Sequence, residues 1–271
     1  MKKSEQVFWE SNKSAALWSR LRPPARPSRG VIRIIEQLFR KKTAKNLRVL
    51  ILGATPELRD LAAKHRWRTV VVDLSLDRLV NFASLMKYPP QHEVLVVSDW
   101  LTAPLREGFF DLILSDAVFC NLDYPAQRKL AKKISRLLTP GGRFIERTMQ
   151  YAPPAEPLSA IVERYLHPKA TLEDISAFEI LVKGHIYNPT LHRVENEKKL
   201  HLVHRVMGKR FSNPAVKEWL RLTPATRKYW YCVTSQAFAR LMRPHLRAIS
   251  VSYAKDYPAW ELFPVYTFAK K

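Results

Sequence analysis

Between Arg48 and Thr148, short unbroken apolar runs take turns with longer stretches in which apolar residues recur at helical spacing. Val49 to Leu52 is apolar throughout, the pattern of a strand covered on both faces, and it runs straight into Gly53. The same reading predicts strands at 49–52, 69–72, 94–97, 112–114 and 143–148, separated by helices at 57–65, 75–86 and 125–138. Strands and helices alternating at these lengths imply a parallel sheet with helices on both faces. Pro140-Gly141-Gly142 reads as a tight turn leading from the last of these helices into the last of these strands.

Outside that stretch the pattern changes. Residues 5–20 carry Val7, Phe8, Trp9, Ala15, Leu17 and Trp18 among polar positions, an amphipathic helix with a face to bury. The stretch LRPPARPSRG ends it, because proline fixes φ and has no backbone donor, and a second helix follows at about 31–40. Beyond the strand at 143–148 lies a long segment, 151–232, then a helix at 234–243 and two β-rich runs joined by a proline-containing loop. The expected organisation is a helical N-terminal segment (1–46), an α/β core (47–150), a helical insert or lid (151–232) and the last helix and strands of the core (233–271).

The strand ends carry the candidate chemistry. Asp73 closes the second strand 20 positions after Gly53, the spacing that places a carboxylate on ribose hydroxyls. The alternative is that Asp73 simply caps the helix that starts near Ser75. Asp99 closes the third strand and is followed by Trp100, a carboxylate suited to an adenine amino group beside a flat apolar wall. Ser115-Asp116 closes the fourth, where the substrate crevice of an open α/β sheet lies.

In this order the pieces resemble a class I S-adenosylmethionine (SAM)-dependent methyltransferase over roughly residues 47–150, and the terminal β-rich runs look like that family's antiparallel pair. The resemblance implies a Rossmann-like, seven-stranded, mostly parallel sheet with a terminal antiparallel strand. It also implies SAM as cofactor, S-adenosylhomocysteine as its product, and cofactor contacts at Gly53, Ala54, Thr55, Asp73, Leu74, Asp99, Trp100, Leu101 and Ser115. A GxGxxG fingerprint is absent. A pyrophosphate needs several glycines for close backbone approach, whereas the phosphate-free SAM accepts a turn such as Gly53-Ala54-Thr55-Pro56-Glu57. Leu52 stands where the commoner family turn often has an acidic residue, so part of the methionine contact must come from elsewhere. The chain also resembles a less typical branch in which an upstream Arg-Pro-Ser accompanies a Thr-Pro-Glu turn, which implies that Trp18, Arg26 and Ser28 lie over the cofactor. Their ordinary alternatives are a core aromatic, a solvated charge and a helix cap.

Composition narrows the class further. With 46% hydrophobic residues in 271 the chain can bury a full core. The start MKKSEQVFWESNK lacks a signal-peptide pattern and no apolar run is long enough for a span, so a cytoplasmic location is expected. Two cysteines, Cys120 and Cys232, are too few for a disulfide framework. His201 and His204 share a helix face but lack a third partner at recognisable spacing, so no metal is expected. The net charge of +22 falls mostly outside the nucleotide-binding stretch; it favours anions, nucleic acid included, without specifying one.

The acceptor is read from what is left. After the fourth strand stands Ser115-Asp116-Ala117-Val118 rather than the Asn/Asp-Pro-Pro-Tyr turn of amino-methylating nucleic-acid enzymes, and Cys120 lacks the Pro-Cys context of cytosine-C5 enzymes. The expectation is methyl transfer to a small, anionic or aromatic acceptor under a basic lid. Asp116, Arg147 and Tyr187 would then face the acceptor as orienting groups, the alternative for Arg147 being an ion pair with a neighbouring carboxylate. An RNA or protein methyltransferase using its basic arms is second, and a methyltransferase-like binding module without catalysis is third.

Overall fold

The computed structural model describes residues 14–38, 46–151, 154–207, 213–222 and 229–271. Seven strands form one sheet in the order β3-β2-β1-β4-β5-β9-β8: β1 (Arg48–Leu52), β2 (Arg68–Asp73), β3 (Glu93–Val97), β4 (Phe110–Asp116), β5 (Leu138–Arg147), β8 (Leu246–Ser252) and β9 (Val265–Lys270). The pairs among β1 to β5 are parallel, while β9 runs antiparallel to both β5 and β8. Two residues each of β6 (Val194–Glu195) and β7 (Tyr229–Trp230) make a separate small ladder. No helix among the described residues is long and apolar enough to cross a membrane.

The unbroken apolar run of β1 follows from its place at the sheet's centre. Val49 and Ile51 join one core with Val71, Leu112, Leu114 and Ile145, while Leu50 and Leu52 join the other with Val72, Ile113 and Phe144. Successive side chains point to opposite faces, so a strand covered on both sides must be apolar at every position. The helices α1 (Ser14–Arg20), α2 (Arg29–Gln37), α3 (Pro56–Lys64), α4 (Leu76–Asn81), α5 (Tyr124–Leu137) and α10 (Ser235–Met242) surround the sheet. The part of the predicted 5–20 helix before Ser14 lies outside the described residues.

Two expectations are corrected. The helix read at 75–86 stops at Asn81 and passes into a 3-10 turn over Phe82–Leu85. Pro140-Gly141-Gly142 is not a turn ahead of a strand but a bulge inside β5. Leu138 sits opposite Phe110 and Arg143 opposite Leu112, so the residues between are looped out of the ladder. Gly141 takes φ +75°, and a Cβ on Gly142 would lie 2.9 Å from the Thr139 carbonyl oxygen, so both glycines are needed.

The segment after β5 builds its own core. Ile161 of α6 (Leu158–Tyr165), Ile175, Phe178 and Val182 of α7 (Leu172–Gly184), Val203 of α8 (Asn196–Met207) and Trp219 of α9 (Pro214–Leu222) are buried together. Thr171 and Asp174 form a reciprocal capping box at the start of α7. Deep in this unit Glu179 binds both Lys183 and Lys199, at 3.1 and 2.6 Å.

Candidate active site

The carboxyl ends of β1, β2 and β4 meet at one edge of the sheet. There Gly53 turns with φ +87°; a Cβ on it would meet Trp100, Val118 and Asp73 only at 3.8 Å or more, so the dihedral rather than the space requires glycine. The Gly53 amide donates to the Val72 carbonyl (2.8 Å) and the Ala54 amide to Asp73 Oδ2 (3.0 Å), while Pro56 has no N–H. These amides are taken within the protein, unlike the open cradle of N–H groups that a pyrophosphate requires. Thr55 is the N-cap residue of α3.

Asp73 is buried and bonded through both oxygens at this point. Its Oδ1 accepts from the Ser75 amide at 3.0 Å, and Arg78 lies 3.3 Å from Oδ2. The helix-cap alternative passes to Ser75 itself, whose hydroxyl accepts the Arg78 amide. Leu74 lies half-buried between them. Asp99 Oδ1 accepts the Leu101 amide at 2.7 Å, and the Trp100 indole donates to the Val72 carbonyl at 2.9 Å, which sets the ring beside Gly53. Leu101 packs with Trp100 on the core.

In the β4–β5 ladder Ser115 stands opposite Glu146 and Asp116 opposite Arg147, so the two pairs fall on opposite faces of the sheet. The Ser115 hydroxyl is hydrogen-bonded to Glu146, whose carboxyl burial pushes well above its ordinary value against that bond. On the other face Arg147 grips Asp116 through Nε and Nη2, the latter at 3.2 Å, with side chains 2% and 4% exposed. Its third group, Nη1, donates to the Pro24 carbonyl at 3.0 Å, and the guanidinium lies 5.0 Å from the centre of the Phe263 ring. The next residue, Ala117, is left-handed (φ 52°), unusual without a glycine, and its amide donates to the Arg147 carbonyl at 2.7 Å.

The N-terminal segment reaches the same edge. Trp18 packs on Phe82 at 5.4 Å and its indole donates to Glu57 at 3.3 Å; Arg26 binds the same Glu57 oxygen through Nε at 2.6 Å. Arg26 is thus an ion-pair partner rather than a solvated charge. Ser28 caps α2 and donates to Asp256 at 2.7 Å, which matches the helix-cap alternative.

Tyr187 lies in the insert, its hydroxyl 3.0 Å from His192 Nδ1 and its ring 5.5 Å from Tyr151; burial raises its pKa to about 12. Cys120 and Cys232 are both buried. Between the insert and the loop ahead of β9 lies a cavity of about 520 Å³, lined by Tyr151, Arg164, Tyr165, Lys255, Tyr257 and Trp260 among others. Tyr257 also stands against Arg147, which opposes the upward push of burial on its pKa. Sequence reasoning took the KDYPAW loop as a mere connection; its Tyr and Trp beside a proline were the available signal.

Residues 52–145 match the family model described as "Methyltransferase domain". The match spans 94 of the 271 residues, and over that stretch the chain is similar to this family. A search of curated proteins returns no match to this chain. Among solved structures, a SAM-dependent methyltransferase from Methanosarcina mazei is 13% identical with TM-score 0.54, covering 88% of this chain and 96% of its own. Burkholderia thailandensis 1,6-didemethyltoxoflavin-N1-methyltransferase, with its substrate and S-adenosylhomocysteine bound, is 14% identical with TM-score 0.56, covering 99% and 86%. A Rhodobacter sphaeroides protein described as a Zn-dependent alcohol dehydrogenase is 17% identical with TM-score 0.65 over 100% of both chains. At such identities the likeness is one of fold. The sheet here has the strand order β3-β2-β1-β4-β5 and places the reversed β9 beside β5.

Proposed function

We propose that this domain transfers the methyl group of SAM to a small acceptor with an aromatic part, held in the 520 Å³ cavity beside Arg147. The observation that carries the reading is the position of Tyr257, which lines that cavity and also touches Arg147, the partner of Asp116 at the end of β4. The cavity has the volume of a small-molecule site, and Tyr151, Tyr165, Tyr257 and Trp260 give it aromatic walls. Lys255, 5.1 Å from the Trp260 ring, adds a cation for an anionic substituent.

The residues present fit a SAM-type cofactor. Asp73 has acceptor capacity beyond its internal bonds, since a carboxylate offers about four lone-pair positions, and it would hold the ribose. Asp99 and the Trp100 face would hold the adenine, and the internally bonded turn at Gly53 suits a ligand without phosphate. When bound, SAM supplies an electrophilic methyl on a sulfonium. The protein's part is to align the acceptor for in-line attack and keep water away. Asp116 and Arg147, locked to each other, orient the acceptor rather than remove its proton, and Tyr187, its pKa raised by burial, stays a neutral donor.

The net charge of +22 favours the second reading, an RNA acceptor. One experiment separates the two: methyl transfer from labelled SAM to a panel of small phenols, aromatic amines and aromatic carboxylates, and to total RNA, each at 50 and 200 mM salt. Turnover on small molecules with little salt dependence supports the proposal. Turnover on RNA alone, falling steeply with salt as counterions are released, overturns it.

A further inference from the structure

The turn after β1 lacks an acidic residue at the strand end, because Leu52 is buried in the core there. The Asp73 carboxylate that meets this turn already accepts the Ala54 and Ser75 amides and is the ribose acceptor in the reading above, so the strand end offers a free α-amino group no acid of its own. The nearest carboxylate along the chain is Glu57, in the first turn of α3. Its side chain is only 15% exposed. One oxygen, Oε1, accepts from the Trp18 indole and from Arg26 Nε and Nη2. The other, Oε2, is shielded from solvent and has no hydrogen-bond partner among the described residues.

A buried carboxylate oxygen without a donor is costly, because it has given up water for nothing in return. Holding the N-terminal segment onto α3 needs only Oε1, so a purely structural role leaves Oε2 unexplained. The surroundings show what would satisfy it. Burial pushes the Glu57 carboxyl up, Arg26 and the residue's own backbone N–H pull it down, and the field of Asp116 pushes it up again, which places Glu57 within electrostatic reach of the Asp116–Arg147 pair. A cationic donor entering there would relieve both the orphaned oxygen and that repulsion.

Resting on the SAM reading above, we propose that Glu57 is the receptor for the α-ammonium of the cofactor's methionine end, accepting it through Oε2 while Trp18 and Arg26 hold Oε1 in place. The N-terminal segment then serves to aim this carboxylate, and Glu57 replaces the strand-end acid that Leu52 displaces.

The test is calorimetric binding to the full chain, wild type and Glu57→Gln, of three ligands: S-adenosylhomocysteine, its deamino analogue with a 4-thiobutanoate tail, and 5′-methylthioadenosine, which lacks the amino acid altogether. The substitution should weaken S-adenosylhomocysteine about tenfold or more, the loss of one charge-assisted bond. It should leave the other two ligands within about twofold. Equal weakening of all three would make Glu57 a strut and overturn the proposal, as would unchanged binding of S-adenosylhomocysteine. If the wild type binds none of the three, the SAM reading itself has failed and this inference falls with it.

Discussion

Ala54 donates its backbone N–H to Asp73 across 3.0 Å, so the turn after β1 is fastened to the end of β2 by one carboxylate. The same side chain accepts the Ser75 amide, fixing the start of the turn into α4. Asp73→Ala leaves both amides without their acceptor. It should cost about 1–3 kcal/mol in urea unfolding without any cofactor, and S-adenosylhomocysteine affinity should fall as well. Asp73→Asn keeps one acceptor oxygen and should lose less of both. A stability loss without an affinity loss would make Asp73 a brace for the two turns and nothing more.

Arg147 and Asp116 form the other tie at this edge, buried between β4, the Pro24 carbonyl and Phe263. Removing one partner strands the other charge out of water, so Arg147→Met or Asp116→Asn alone should destabilise by about 3–5 kcal/mol. The double substitution should recover a large part of that, because no charge is then left unpaired. Thermal unfolding of the four proteins reads the coupling directly.

How much of this edge was legible in the sequence depends on what each contact requires. The apolar run 49–52 and the interval from Gly53 to Asp73 are local patterns, and they place the turn and its carboxylate correctly. Glu93–Val97 reads like β1 but lies at the sheet edge, where Val94 is 59% exposed; apolar content alone does not tell a central strand from an edge one. That Ser115 faces away from Asp116 follows from the period of two, once the strand is known to continue through both. An ion pair of Arg147 with a neighbouring carboxylate was the alternative reading of the sequence and is what the structure has; that the partner is Asp116 depends on the register of β5, which the bulge at 139–142 resets. The orphaned oxygen of Glu57 and the cavity beside Tyr257 join segments far apart in the chain, and no spacing rule reaches them.

The Glu179 cluster gives the insert a defined response to acid. Burial pushes this carboxyl up, but Lys183 and Lys199 outweigh it and leave its pKa below the ordinary value. A depressed folded pKa means that the group's stabilisation is present above the unfolded pKa, about 4.3 for glutamate, and is lost as pH falls through the folded one. Urea midpoints should therefore drop below about pH 4 in the wild type. Glu179→Gln should be less stable at pH 7 and show a shallower drop on acidification. Parallel pH curves for the two proteins would rule out this origin.

The cavity makes its own prediction. Trp260 and Tyr257 line it, so Trp260→Ala should reduce kcat/KM for the acceptor about tenfold or more, the loss of a large aromatic wall. S-adenosylhomocysteine affinity should stay unchanged. Tyr187→Phe should lower turnover less, since the ring contact with Tyr151 persists. Turnover unaffected by Trp260→Ala would place the acceptor outside the cavity.

Everything above depends on an adenosyl ligand binding at the ends of β1, β2 and β3, and calorimetry of the intact protein with S-adenosylhomocysteine measures that most directly. Saturable binding at one site per chain is expected, with thermal stabilisation of about 2.7 kcal/mol at a ligand concentration of about 100 times Kd, both reduced in Asp73→Ala. No heat and no thermal shift at millimolar S-adenosylhomocysteine and SAM would contradict it.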